Sequence, residues 1–278
     1  MGVAETIRHL AATEEEALLL RQIAEKAGRC ARQNTPQWTR FLTEREQGLS
    51  EALMPLLGDP SRLYCGGDGA VRRILYFLPD WQVPPVPEEE LPVGYVRCRF
   101  AAEYGTVTHR DLLGALMGLG ISRDSVGDLY LSEGSADAAV LRELVPFVCT
   151  ELASAGRVRL AVEEIRGEEV QRPEEKTELR RNTVASLRLD SVVSSAFGMA
   201  REKAAALIRT GRVQLDGLEC LKPDRIVEEG VSITARGFGK AVLREAGALS
   251  RKGRVCIVLA RYLLGPPCPG FVDKPGSG

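Results

Sequence analysis

The chain has 278 residues, 44% of them apolar, which is ample for more than one hydrophobic core. Its 37 lysines and arginines against 38 acids leave a formal charge of −1, which excludes polyanion binding by bulk charge alone. That balance hides a division: residues 1–182 hold 22 basic and 29 acidic residues, net −7, whereas residues 183–265 hold 14 and 8, net +6.

From the N-terminus, "TEEEALLLRQIAEKAGRCARQ" predicts a helix, with Leu18, Leu19, Ile23, Ala27 and Cys30 at helical spacing and acids crowding its first turn. "FLTEREQGLSEALMPLLG" repeats the amphipathic pattern and stops at Gly58. The period then changes, and "VRRILYFLP" reads as a strand. The proline-rich "DWQVPPVPEEELP" closes this N-terminal α+β region, taken as 1–83. The acid-rich N-terminal stretch does not read as a secretory signal, and no apolar run is long enough to span a bilayer, so a cytoplasmic protein with no membrane partner is expected.

A second unit, 91–168, has a clear order. Strand "GYVRCRF", helix "THRDLLGALMGLG" and strand "VGDLYLS" are followed by strand "AAVLR", helix "ELVPFVCTELASAG" and strand "RVRLAVEEI". This is β-α-β-β-α-β, the ferredoxin-like arrangement shared by RRM domains. Pro146 must then sit in the first turn of its helix. "THRD" reads as a helix cap, Thr108 with Asp111, in preference to acid/base chemistry through His109. Arg110, Arg123, Asp124 and Asp128 suggest either a salt-bridged corner or contacts to RNA or protein, between which the sequence does not decide. RRM domains stack bases on strand aromatics, but "AAVLR" offers none, so this unit is not expected to read single strands that way.

Residues 169–182 read as a charged linker, 183–265 as a basic domain and 266–278 as a disordered tail. The basic domain opens with two short helices, "LRLDSVVSSAFG" and "MAREKAAALIRTG", each closed by a glycine. Leu189, Val192, Val193, Ala196 and Phe197 make one apolar face, and Ala204, Leu207 and Ile208 the other. Strand "RVQLDG" follows, its Asp216-Gly217 marking a tight turn, and then strands "GVSITAR" and "RVCIVLARYLL". Arg201, Lys203, Arg209 and Arg212 are expected to cluster around one end of the helix pair, with Arg188 approaching the same edge. Such a ridge suits an RNA backbone, because each guanidinium can fork onto a phosphate.

"LRLDSVVSSAFGMAREKAAALIRTGRVQLDG", continued by "GVSITARGFGK", resembles the RNA-binding domain of the S-four type, first described in a small-subunit ribosomal protein. More narrowly, "GTVTHRDLLGALMGLGISRDSVGDLYL" and "TARGFGK" make the chain similar to the YlmH family of bacterial proteins. It departs from the pattern at Ala200, Gln214 and Val231. The resemblance implies a multidomain α+β, non-enzymatic RNA-binding factor. Its implied partners are ribosomal RNA and tRNA on the large ribosomal subunit, in quality control of stalled translation, with a division-linked role as a secondary expectation. Arg188, Asp190, Arg201, Lys203, Arg209, Arg212, Gln214, Arg236, Gly237, Gly239 and Lys240 are the RNA-binding candidates.

"ITARGFGKAV" tests the alternatives. It lacks the first glycine and the Ser/Thr of a Walker loop and the third glycine of a Rossmann fingerprint. It reads instead as a hairpin turn whose glycines supply positive φ, flanked by Arg236 and Lys240 on a backbone that phosphates can approach closely. A pseudouridine synthase is disfavoured because the aspartate of "LRLD" lies inside the binding domain with no catalytic domain around it. A methyltransferase is disfavoured because "YCGGDGAVRR" is not followed by a cofactor-binding βαβ unit. A protein-interaction adaptor remains an alternative. The seven cysteines (Cys30, Cys65, Cys98, Cys149, Cys220, Cys256 and Cys268) form no C-x-x-C pair, and "FVCTEL" and "VCIVLA" suggest buried free thiols. With two histidines besides, no metal, cofactor or small-molecule substrate is expected.

Overall fold

The computed structural model describes residues 2–67, 69–101, 103, 105–172, 177–249 and 253–262. The chain divides into two compact units, Met1–Pro173 and Glu174–Gly278.

The first unit begins with helices α1 (Val3–Leu10) and α2 (Glu14–Gln33). Thr13 sets the start of α2 by accepting a hydrogen bond from the Glu16 backbone N–H, and Asn34 ends it in the left-handed region at φ 51°. The expected apolar stripe is shifted: Leu20 and Ile23 are fully buried, while Leu18 is 53% exposed. Strand β1 (Gln37–Leu42) precedes helix α3 (Glu44–Leu53), and β2 (Arg62–Cys65) and β3 (Arg73–Phe77) complete an antiparallel sheet of order β1-β3-β2. Phe41 and Leu42, expected at the head of a helix, are strand residues. Thr43 and Glu46 form a capping box that fixes the helix start after them.

Strand β4 (Val93–Arg99), helix α4 (His109–Gly118), strands β5 (Val126–Ser132) and β6 (Ser135–Leu141) and helix α5 (Val145–Glu151) follow. The stretch expected as a continuous helix end and strand is broken. Helix α5 stops at Glu151, a hairpin of β7 (Ser154–Ala155) and β8 (Val158–Arg159) turns on Gly156 at φ 59°, and β9 (Ala161–Ile165) comes after it. The four-stranded antiparallel sheet has the order β5-β6-β4-β9. Val96, Cys98, Ala136, Ala138 and Val140 point from one face into a core with Leu112 and Leu116 of α4 and Val145 and Val148 of α5. By the two-residue period of a strand, Val93, Tyr95 and Ala139 point the other way. They are buried in a second core with Phe41, Ile74 and Tyr76 of the N-terminal sheet.

The segments 1–83 and 91–168, expected as separate domains, therefore form one compact unit. An apolar second sheet face must be covered, and the β1-β3-β2 sheet covers it. The approach is close: a Cβ on Gly127 would lie 2.6 Å from Phe41 Cε1. A buried bidentate pair, Arg97 Nε to Asp137 Oδ1 at 2.8 Å and Nη2 to Oδ2 at 2.7 Å, sits on this same face and also holds the Glu169 carbonyl and the Gln171 N–H.

The second unit corrects the linker. Residues 177–182, expected to be part of a charged linker, belong to strand β10 (Thr177–Val184), which pairs along its whole length with β15 (Val255–Tyr262). Between them lie helices α6 (Leu189–Phe197) and α7 (Arg201–Arg209) and strands β11 (Val213–Leu215), β12 (Leu218–Glu219), β13 (Ser232–Ala235) and β14 (Gly239–Leu249). The antiparallel order is β10-β15-β14-β13-β11-β12. The two apolar helix faces read from the sequence are buried in one core with Val213, Ile233, Ala241, Leu243, Ile257 and Leu259. Asp216 and Gly217, both at positive φ, make the two-residue turn between β11 and β12. The tail 266–278 lies outside the described residues.

Candidate nucleic-acid interface

The candidate cations of the second unit fall into two groups. The first surrounds Asp190, which is 5% exposed at the start of α6. Arg188, the N-cap residue of α6, places Nη2 3.3 Å from Asp190 Oδ2, and Arg201, the first residue of α7, places its Nη2 3.1 Å away. Burial pushes the Asp190 carboxyl up, but hydrogen bonds from Arg201 and Arg188 outweigh burial and hold it below the ordinary carboxylate value. Asp190, a candidate RNA ligand by sequence, is thus the anchor of two half-exposed guanidiniums. Each keeps donors facing solvent.

The second group surrounds the β13–β14 turn. Ala235 pairs with Gly239, so Arg236, Gly237 and Phe238 form the loop, with Gly237 at φ 83° and Gly239 at φ 106°. Arg212, just past α7, receives the Arg236 backbone N–H on its carbonyl at 2.9 Å and returns a bond from Nη2 to the Arg236 carbonyl at 3.3 Å. Lys203 Nζ lies 5.2 Å over the Phe238 ring, and Lys240 Nζ 5.6 Å over Tyr262. Phe238 in turn contacts Phe197 at 6.5 Å between centroids, and Arg261 lies 5.9 Å over Phe197. Sequence reasoning missed Arg261; its signal is a basic residue paired across the sheet from Ala241, next to Lys240. The glycine turn is therefore flanked by cations on both faces of the sheet: Arg261 lies on the core side with its partner Ala241 and Lys240 on the other, while Lys203, Arg212 and Arg236 stand at the turn itself.

The expected single cluster at one helix end divides. Arg201 begins α7 and Arg209 ends it, eight residues apart, which is about 12 Å of helix. Arg209 is exposed and has no partner among the described residues. Gln214 sits within β11, opposite Glu219 and Thr234.

In the first unit, Thr108 and Asp111 form a capping box, with Thr108 Oγ1 donating to Asp111 Oδ2 at 2.6 Å. The corner expected among Arg110, Arg123, Asp124 and Asp128 forms no salt bridge within itself, and Arg123 and Asp128 attract each other only at longer range. Asp128 accepts from the Val71 and Arg72 backbone N–H groups, Asp124 meets Arg40 at 3.4 Å, and Arg123 donates to the Val126 carbonyl. Tyr95, the aromatic of β4, is 4% exposed beneath the N-terminal sheet.

Among the described residues no group of three His, Cys, Asp or Glu side chains could hold a metal ion, and no helix is long and apolar enough to cross a membrane. Cys30, Cys65, Cys98 and Cys220 are buried free thiols, and burial pushes Cys65 and Cys98 up to about 12. Cys256 departs from the expected burial: its side chain lies on the outward side of β15, because the apolar run alternates faces. Cys268 lies outside the described residues.

Residues 87–169 match the family described as "Putative RNA-binding domain in YlmH". The ribosome-associated protein quality control protein P2 of Bacillus subtilis is 33% identical over 224 residues, covering 80% of this chain and 86% of that protein. The structure titled cell division protein ylmH from Streptococcus pneumoniae aligns with a TM-score of 0.48 at 19% identity, over 58% of this chain and 98% of that one. On the length and identity of the Bacillus match, the chain belongs to the YlmH family.

Proposed function

We propose that the chain is a non-enzymatic RNA-binding factor that docks on the large ribosomal subunit and holds ribosomal RNA and tRNA during quality control of stalled translation. The observation that carries this is the second unit's glycine turn flanked by cations, beside arginines that Asp190 aims but does not consume. Guanidiniums fixed at one end and free at the other lose little entropy on meeting a phosphate. The relative named for ribosome-associated quality control supplies the setting. Two short helices packed on an antiparallel sheet support the S-four-type assignment of 183–265, and the β5-β6-β4-β9 order supports an RRM-like fold for 91–168.

The test is binding of transcribed tRNA and of purified large ribosomal subunits by Arg201→Gln/Arg209→Gln/Arg236→Gln. Glutamine is preferable to glutamate at 201, where a second carboxylate would face Asp190. With three phosphate contacts removed, the salt slope falls by about two units. A flat salt response in the wild type would instead favour an adaptor that meets an acidic protein.

A further inference from the structure

We infer that the RNA-binding domain of the first unit contacts RNA through a corner built from the start of α4 and the β7–β8 hairpin, using Arg110, Arg157 and Arg159, and not through its sheet. The inference rests on the reading above that this chain binds structured RNA.

The sheet is closed to RNA. The face that would carry bases has Tyr95 at 4% and Ala139 at 2% exposure under the β1-β3-β2 sheet and Arg97 at 8%, held by Asp137 and the Glu169 carbonyl, and the opposite face is filled by α4 and α5. Contact must come from loops, helix ends or edges.

Electrostatics then selects among them. Residues 87–169 contain eight cationic side chains, all arginines. Arg97, Arg99 and Arg166 face acids, and Arg123 and Arg142 donate to backbone carbonyls. The other three, Arg110, Arg157 and Arg159, are exposed and have no hydrogen-bond or ion-pair partner among the described residues. An arginine with all five donors facing water is what a phosphate can engage without breaking an existing contact.

The two elements that carry these three also meet. Ala155 and Val158 of the hairpin are buried in the same core as Leu112 and Leu116 of α4. At the turn, a Cβ on Gly156 would lie 3.3 Å from the Asp111 carboxylate. Arg110 precedes Asp111, Arg157 follows Gly156 at the hairpin tip, and Arg159 pairs with Ser154 across the hairpin. Asp111, the acid against which the turn packs, spends Oδ2 on the Thr108 N–H and hydroxyl. Two guanidiniums on a short, core-anchored hairpin and a third on the helix start beside it fit a double-stranded RNA backbone read by shape.

The test compares the full chain with Arg110→Gln/Arg157→Gln/Arg159→Gln, using transcribed tRNA in a salt titration and purified large ribosomal subunits in co-sedimentation. Affinity for at least one probe should fall about tenfold, with a salt slope shallower by about two units, and arginine-to-lysine replacements at the same positions should restore most of it. The exposed sites leave the melting temperature unchanged. Unchanged binding of both probes, with loss in the Arg201/Arg209/Arg236 variant, overturns this inference and leaves the proposed function standing. Unchanged binding in both variants overturns both.

Discussion

Asp190→Asn isolates what the buried carboxylate does for the second unit. Asparagine keeps the shape and removes the charge that Arg188 and Arg201 share. The bonds run from 3.1 to 3.4 Å, longer than ideal charge-assisted bonds, and the partner side chains are 38% and 50% exposed, so solvent screens each pair. Two such screened contacts are worth together about 1–2 kcal/mol. With a urea m-value near 1–1.5 kcal/mol/M for a domain of this size, the midpoint falls by about 1 M. Both tryptophans, Trp38 and Trp81, lie in the first unit, so their emission serves as an internal control and circular dichroism follows the second unit. Because the folded carboxyl is held below its ordinary value, the stabilisation is present above about pH 4 and disappears as pH falls through the folded value. The wild-type and variant curves must therefore converge in acid. Equal stability at pH 7 would refute the anchoring role, and loss of tRNA affinity without loss of stability would mean that Asp190 touches RNA itself.

Two further perturbations address the first unit. Gly127→Ala forces a methyl to within 2.6 Å of Phe41 Cε1 and 3.0 Å of Ala139 Cβ, and should cost about 1–3 kcal/mol in a denaturant melt followed by tryptophan emission. An unchanged midpoint would show that the two sheets are not tightly apposed. Asp137→Ala leaves Arg97 buried without its carboxylate and should cost about 3–5 kcal/mol, while Arg97→Met with Asp137→Leu should recover much of the loss. A double variant no better than the single one would refute a purely structural pair.

What the sequence disclosed follows from how local each signal is. The helix pair 187–211 is legible because Gly198 and Gly211 punctuate two amphipathic turns, and the core positions read there are the buried ones. Strand β10 is not legible, since "TELRRNTV" carries polar or charged side chains at six of its eight positions, as an edge strand with one paired side does, and its partners lie 71 to 85 residues on. The cover over Tyr95 is equally silent: alternation in β4 shows that both faces are apolar without saying what lies on the second. At the candidate interface the cations other than Arg261 were legible from charge. Their grouping was not, because Asp190 gathers Arg188 and Arg201 while an aromatic pair, Phe197 and Phe238, carries Lys203 and Arg261.

Net charge misleads about which surface meets RNA. The first unit, 1–173, has 19 basic and 26 acidic residues, and by that count it should repel a polyanion. Screening limits such repulsion to about 8 Å at physiological salt, so a phosphate senses the few side chains around it and not the sum over a unit. The informative quantity is the set of guanidiniums whose donors no protein group has taken. In the first unit's RNA-binding domain that set is small and gathered on one hairpin corner; in the second unit it lines a glycine turn. Lowering the salt restores the long-range repulsion of the acidic unit while strengthening every phosphate contact. The glutamine variants at Arg110, Arg157 and Arg159 should accordingly lose most relative to wild type at low ionic strength, where nothing else on that unit offsets its acids.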